Sequence, residues 1–150
     1  MKVFSEIEIQ MAGEKAAGYF GEGFHCAEAV TSAALQAVGE DPTEPTAHAT
    51  AFGGGFGRTH LEACGALSGA LITIGHLYGR RVMGDEWDLP AELGAEIRQR
   101  FLDSFGTTHC GALRNGFGEQ QMAECRNITK RVTAELLTLL SEDSDQHRPA

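Results

Sequence analysis

The stretch Ala51–Gly79, AFGGGFGRTHLEACGALSGALITIGHLYG, constrains the fold more than any other part of the chain. Gly53, Gly54, Gly55 and Gly57 crowd together at its start. No helix or strand tolerates that density of glycine in its interior, so the run is a loop with unusual dihedrals or close backbone approaches. Beyond it, Leu61, Cys64, Leu67, Leu71, Ile74 and Tyr78 recur at steps of three and four, which makes an apolar helical stripe. The opposite side carries Gly65, Ala66, Gly69 and Ala70, and no Asp, Glu, Lys or Arg occurs from Ala63 through Gly79. A helix that is apolar or small all round is buried on all sides. This one is too short and too rich in glycine to span a membrane. The expectation is a central helix with Cys64 near its start and other helices packed close against its small residues.

The flanking chain reads as further helices. Phe4, Ile7, Met11 and Tyr19 sketch an amphipathic helix over about residues 3–20, which Gly21 and Gly23 end. A second runs from about Phe24 or His25 to Val38, with Cys26, Val30, Ala33 or Ala34, and Ala37 inward, and Gly39 closing it. Pro42 and Pro45 mark a loop with room for one helical turn over Thr46–Ala51. After the central helix and a polar connector, Asp88 is placed to cap a helix with Pro90 in its first turn. Leu89, Leu93, Ile97, Phe101 and Phe105 give that helix a stripe at steps of four, and Gly106 stops it. TTHCGALRNG follows as a loop carrying Cys110. A last helix over about Phe117–Leu140 has Met122, Cys125, Ile128, Val132, Leu136 and Leu139 on one face. No convincing strand pattern occurs. The expected fold is an all-α, single-domain bundle of about five helices spanning residues 1–140, followed by a disordered acidic tail over 141–150.

Length and charge narrow the function classes. A chain of 150 residues suits one domain with a real core. Twelve basic and 21 acidic residues give a net charge of -9, which argues against nucleic acid as a partner. The opening MKVFSEIEIQ lacks a basic segment followed by an apolar one, so no secretory signal is read and the cytoplasm is the expected compartment. There, four cysteines point to metal ligands or redox thiols rather than structural disulfides.

Cys26 falls in the first turn of its helix, where unpaired N–H groups and the helix dipole favour a thiolate. Cys64 sits on the central helix, Cys110 in a glycine-bounded loop and Cys125 on the stripe of the last helix. No pair forms C-x-x-C, so spacing excludes a zinc ribbon, a thioredoxin motif and a c-type haem site. Spacing also leaves the ordinary alternative open, that cysteines at such positions are small buried hydrophobes.

An internal echo bears on that choice. Phe56-Gly57-Arg58-Thr59-His60 precedes Cys64-Gly65-Ala66-Leu67 by three residues, and Phe105-Gly106-Thr107-Thr108-His109 runs straight into Cys110-Gly111-Ala112-Leu113. The two segments are expected to set a cysteine beside a tight turn at one shared site.

The string Cys64-Gly65-Ala66-Leu67-Ser68-Gly69, the GFHCAEAV around Cys26, the FGGGFG loop and the late Cys110 and Cys125 resemble the C_GCAxxG_C_C family of redox-active proteins, over about Gly21–Leu140. The resemblance implies a small protein with four characteristic cysteines, Cys26, Cys64, Cys110 and Cys125, associated with redox or transport systems. His25 departs from the small polar residue, such as asparagine, that the resemblance leads one to expect there. With the resemblance added, a site common to the four thiols is the main expectation.

Three readings follow. The thiolates hold an iron–sulfur cluster or one iron or zinc ion, with N–H groups of the Gly53–Gly57 loop near the sulfurs. Alternatively they work as a dithiol couple, Cys26 attacking and Cys64 resolving. In the third, the chain is a helical accessory module of a transport system, its small-residue stripes serving packing or formation of a homodimer. A redox or transporter-associated protein is the expected partner. His60 and His109 rank below the cysteines as ligands or proton carriers, and His76 reads as a helix-end residue. Arg80 and Arg81 are read as capping the central helix, and Glu28, Glu62 and Glu124 as solvated, without an acid–base role. GGGFG is no phosphate loop, because no Gly-Lys-Ser/Thr follows it.

Overall fold

The computed structural model describes residues 2–146. The chain is all-α. Its helices are α1 (Glu6–Tyr19), α2 (Cys26–Ala37), α3 (Thr43–Ala49), α4 (Gly65–Tyr78), α5 (Asp88–Phe105), α6 (Cys110–Phe117) and α7 (Gln121–Gln146), with 3-10 turns at Thr50–Phe52 and Gly118–Gln120. Two isolated bridges, Phe20 with Phe24 and Ala63 with His109, are the only β pairing among the described residues. No described helix is long and apolar enough to cross a membrane.

Two kinds of packing hold the bundle. On one side, Leu93, Ile97 and Phe101 of α5 meet Ile128, Val132, Leu136 and Leu140 of α7 through large apolar side chains. The stripes read from spacing on α5 and α7 supply this core from Leu93 to Phe101 and from Ile128 onward, whereas Met122 at the head of the α7 stripe is exposed. On the other side, small residues bring backbones together. A Cβ at Gly69 of α4 would collide with the Ala27 carbonyl of α2, and one at Gly13 of α1 would lie 3.0 Å from the Lys130 carbonyl of α7. Thr31 fastens the α2–α4 crossing by donating to the Ala27 and Gly69 carbonyls at 2.9 and 3.1 Å.

Small-residue packing overturns three expectations. The buried face of α1 is Ala12, Gly13 and Ala16, while Ile7 and Met11 are exposed, because a close α1–α7 approach leaves no room for long side chains. The helix buried on nearly every side is α2, from Ala27 through Leu35, and it packs against α1, α3, α4 and α7. Its neighbour α4 shares the centre but leaves Leu71 exposed, and Leu61 lies outside the helix in solvent.

Boundaries shift as well. Helix α4 begins after Cys64, which is its N-cap. The Cys110 segment is helix α6 rather than loop. Trp87, not Asp88, precedes α5, and the Glu86 carboxylate accepts the Asp88 N–H. Arg81 closes α4 as expected, donating to the His76 and Gly79 carbonyls. Helix α7 continues past Leu140 to Gln146, anchored by Ser141, which is buried and accepts the Phe4 N–H at 2.9 Å. Residues 147–150 of the expected tail lie outside the described residues.

Candidate functional site

The glycine-rich loop is a left-handed turn. Gly54, Gly55, Phe56, Gly57 and Arg58 have successive φ values of 65, 66, 68, 59 and 61°, and His60 follows at 60°. Phe56, Arg58 and His60 are the only non-glycine residues at positive φ among those described. Each costs about 1–2 kcal/mol there relative to glycine. Hydrogen bonds from Gly57 N–H to Ala51 O at 2.8 Å and from His60 N–H to Gly54 O at 2.9 Å hold the turn closed. Thr59 adds its hydroxyl to the Gly55 carbonyl at 2.7 Å.

That turn delivers the first echo segment to the second. The Cys64 N–H donates to Thr108 O at 2.7 Å, the Cys110 N–H to Glu62 O at 2.8 Å and the Gly111 N–H to His60 O at 2.8 Å. The two similar strings therefore pair with each other, antiparallel, and both cysteines stand at the start of a helix: Cys64 caps α4 and Cys110 opens α6. Cys26 opens α2 in the same way, and Cys125 lies in the second turn of α7.

All four cysteines line one cavity of about 630 Å³, a size typical of ligand sites. They are unbridged: Cys64 and Cys110 are buried, Cys26 and Cys125 half-buried. Two glycines make the convergence possible. A Cβ at Gly55 would sit 2.6 Å from the Cys110 Cβ, besides being strained by its φ. A Cβ at Gly65 would collide with the Cys26 sulfur. The family motif is written GCAxxG, whereas this chain reads Cys64-Gly65-Ala66, with glycine in place of the motif's cysteine, and a side chain at position 65 would have to displace the Cys26 thiol.

The thiols sense one another. Burial is the main cause that raises the Cys64 thiol far above its ordinary range; the charge of Cys26 adds to it, and N–H groups of Ala66 and Leu67 oppose it. Burial also raises Cys110 and Cys125, with Cys26 contributing to both, while the Arg114 guanidinium pulls both down. Arg114 follows Cys110 by one helical turn and is held by Gln121, whose side-chain oxygen accepts from it at 2.8 Å. Among the described residues, no group of three or more His, Cys, Asp or Glu side chains is arranged to hold a metal ion. A lone ion needs such a group drawn around one point.

Other predicted residues take different places. His25 lines the cavity mouth, mostly exposed, with its Nδ1 3.5 Å from Glu28. Glu28 is buried, contrary to its reading as solvated; its carboxylate accepts the His25 N–H at 3.1 Å and the Thr50 hydroxyl at 3.3 Å, so it caps α2. His60 also lines the cavity, whereas His109 faces an adjoining hollow of about 510 Å³ and accepts the Ala112 N–H at 3.0 Å through Nδ1. His76 pairs loosely with Glu40 at 3.8 Å, remote from the cysteines in the fold. Sequence reasoning missed Arg58 and Arg114. The helical spacing of Arg114 from Cys110 was an available signal for one, and the mismatch of Arg58 with Thr107 in the echo for the other.

Residues 24–139 match the family model described as "Putative redox-active protein (C_GCAxxG_C_C)". The chain belongs to that family. The match spans all four cysteines, both echo segments and the residues of α2, α4, α6 and α7 that line the cavity. The family description carries a redox character and names no substrate, metal or partner. No curated protein and no solved structure matches the chain.

Proposed function

We propose that this is a redox protein whose Cys26, Cys64, Cys110 and Cys125 thiolates hold an iron–sulfur cluster in the shared cavity, for electron transfer or sensing. The observation that carries the reading is that four cysteines from separate parts of the chain line one cavity without a carboxylate among its walls. An all-thiolate donor set is the usual one for such clusters.

A bound cluster would supply one-electron redox capacity. The protein's own part is to hold and tune. At the start of α4 the Ala66 and Leu67 N–H groups face the Cys64 sulfur and favour its thiolate. Arg114 does the same for Cys110 and Cys125. Burial of Cys64 and Cys110 keeps water from that side of the site. A reducing cytoplasm suits free thiols of this kind, and a redox or transport-associated protein is the proposed partner.

A dithiol couple is the second reading, favoured by the electrostatic proximity of Cys26 and Cys64 across Gly65. Anaerobic purification and reconstitution, followed by iron, sulfide and zinc analysis, separates the two. The cluster reading expects a coloured protein with iron and inorganic sulfide, lost on Cys64→Ser or Cys110→Ser. A colourless, metal-free protein that forms a Cys26–Cys64 disulfide on mild oxidation would replace it with the couple.

A further inference from the structure

The cavity wall inverts the charge of the chain. The protein carries a net charge of -9 with 21 acidic residues, yet among the described residues no Asp or Glu lines the cavity, while Arg58 and Arg114 do, beside the polar rings of His25 and His60. The adjoining hollow shares His60 and Arg114, adds His109, Asn115 and Gln121, and again has no carboxylate. Glu28 approaches His25 from outside this wall, with its oxygens engaged by the His25 N–H and the Thr50 hydroxyl.

The two arginines differ in what they already do. Arg114 neighbours Cys110 and Cys125 and donates to a neutral amide, Gln121. Arg58 stands exposed at the cavity and makes no ion pair or side-chain hydrogen bond among the described residues. Its backbone is held at φ 61°, where asparagine or glycine would sit with less strain. A strained residue whose charge has no partner among the described residues fits a role towards something that binds. A guanidinium matches the paired oxygens of carboxylates and oxyanions.

We propose that the cavity takes a small anion beside the thiols, an oxyanion or a carboxylate, held by Arg58 and Arg114. This deepens the four-thiol reading by naming the charge class of molecule that reaches those sulfurs, and its test needs no metal.

Reduced, metal-free full chain is alkylated with iodoacetate and, separately, with iodoacetamide, and each cysteine is followed by peptide mass spectrometry. In both reactions a thiolate attacks the methylene carbon, the C–S bond forms and iodide leaves. Thiol ionisation therefore cancels in the ratio of the two rates, and glutathione supplies the reference ratio. Cys26 and Cys125, the more accessible pair, should favour iodoacetate by about tenfold over glutathione, the scale of one charge-assisted hydrogen bond. Arg58→Asn, neutral and suited to positive φ, should remove most of that preference, and Arg58→Lys should keep part of it; melting curves check that both variants fold. Protection by sulfate but not acetate would assign an inorganic oxyanion, and the converse a carboxylate. A ratio equal to that of glutathione, or one that Arg58→Asn leaves unchanged, overturns the proposal. Iron and sulfide content is read separately, so failure of the anion site and failure of the cluster reading are distinguishable.

Discussion

The two Phe-Gly-x-Thr-His segments share their letters but not their backbones. In the second, Phe105 ends α5, Gly106 alone turns left-handed at φ 83°, and Cys110 opens α6 at once. In the first, the left-handed conformation extends from Gly54 to Arg58 and returns at His60, and Leu61, Glu62 and Ala63 intervene before Cys64. The three inserted residues supply what the second copy needs: the Glu62 carbonyl receives the Cys110 N–H, and Ala63 bridges to His109. Strain is thus concentrated in one copy, whereas the other follows ordinary helix-capping rules. The comparison teaches that a repeated motif here builds one site from two unequal halves, a strained half that positions and a relaxed half that is positioned.

The largest break in that arrangement should come at Gly55. Alanine there meets the Cys110 Cβ at 2.6 Å and the His60 Cα at 3.0 Å, at φ 66°. Overpacking and left-handed strain together should destabilise the protein by about 3 kcal/mol, measured by urea unfolding of the reduced, metal-free chain. A loss under about 1 kcal/mol would mean that the halves are not locked at this contact.

A smaller effect comes from the thiols the two halves bury. The folded-state pKa values of Cys64, Cys110 and Cys125 are raised, chiefly by burial, so the folded chain retains these protons after the unfolded chain has released them. The stability they contribute is full below the unfolded thiol value of about 8.5 and is lost as pH rises above it. Each such thiol contributes a slope of at most about 1.4 kcal/mol per pH unit. In reduced, metal-free protein, urea midpoints should fall above that pH, and Cys64→Ala should flatten the decline most, because Cys64 is the most strongly shifted of the three. A pH-independent midpoint up to pH 10 would contradict the burial argument.

Large side chains at helical spacing could be read directly. The stripes Leu93, Ile97, Phe101 and Ile128, Val132, Leu136 are the core that spacing predicted. Spacing failed where small residues decide the packing. Ile7 and Met11 lost the α1 interface to Ala12, Gly13 and Ala16, since close backbone approach excludes long side chains and a periodicity of large apolar residues cannot express it. At the site, the echo identified Cys64 and Cys110 as neighbours, and their segments pair by main-chain hydrogen bonds. Arg58 stayed hidden because what sets it apart is a positive φ and the lack of an ion-pair partner among the described residues, neither of which its letter records.

The most direct test of the account is X-ray absorption at the iron edge of the anaerobically loaded protein. The account predicts a first shell made only of sulfur, with iron neighbours beyond it, and replacement of sulfur by a lighter scatterer in Cys125→Ser. A first shell of nitrogen and oxygen, unchanged by any of the four cysteine substitutions, would contradict it.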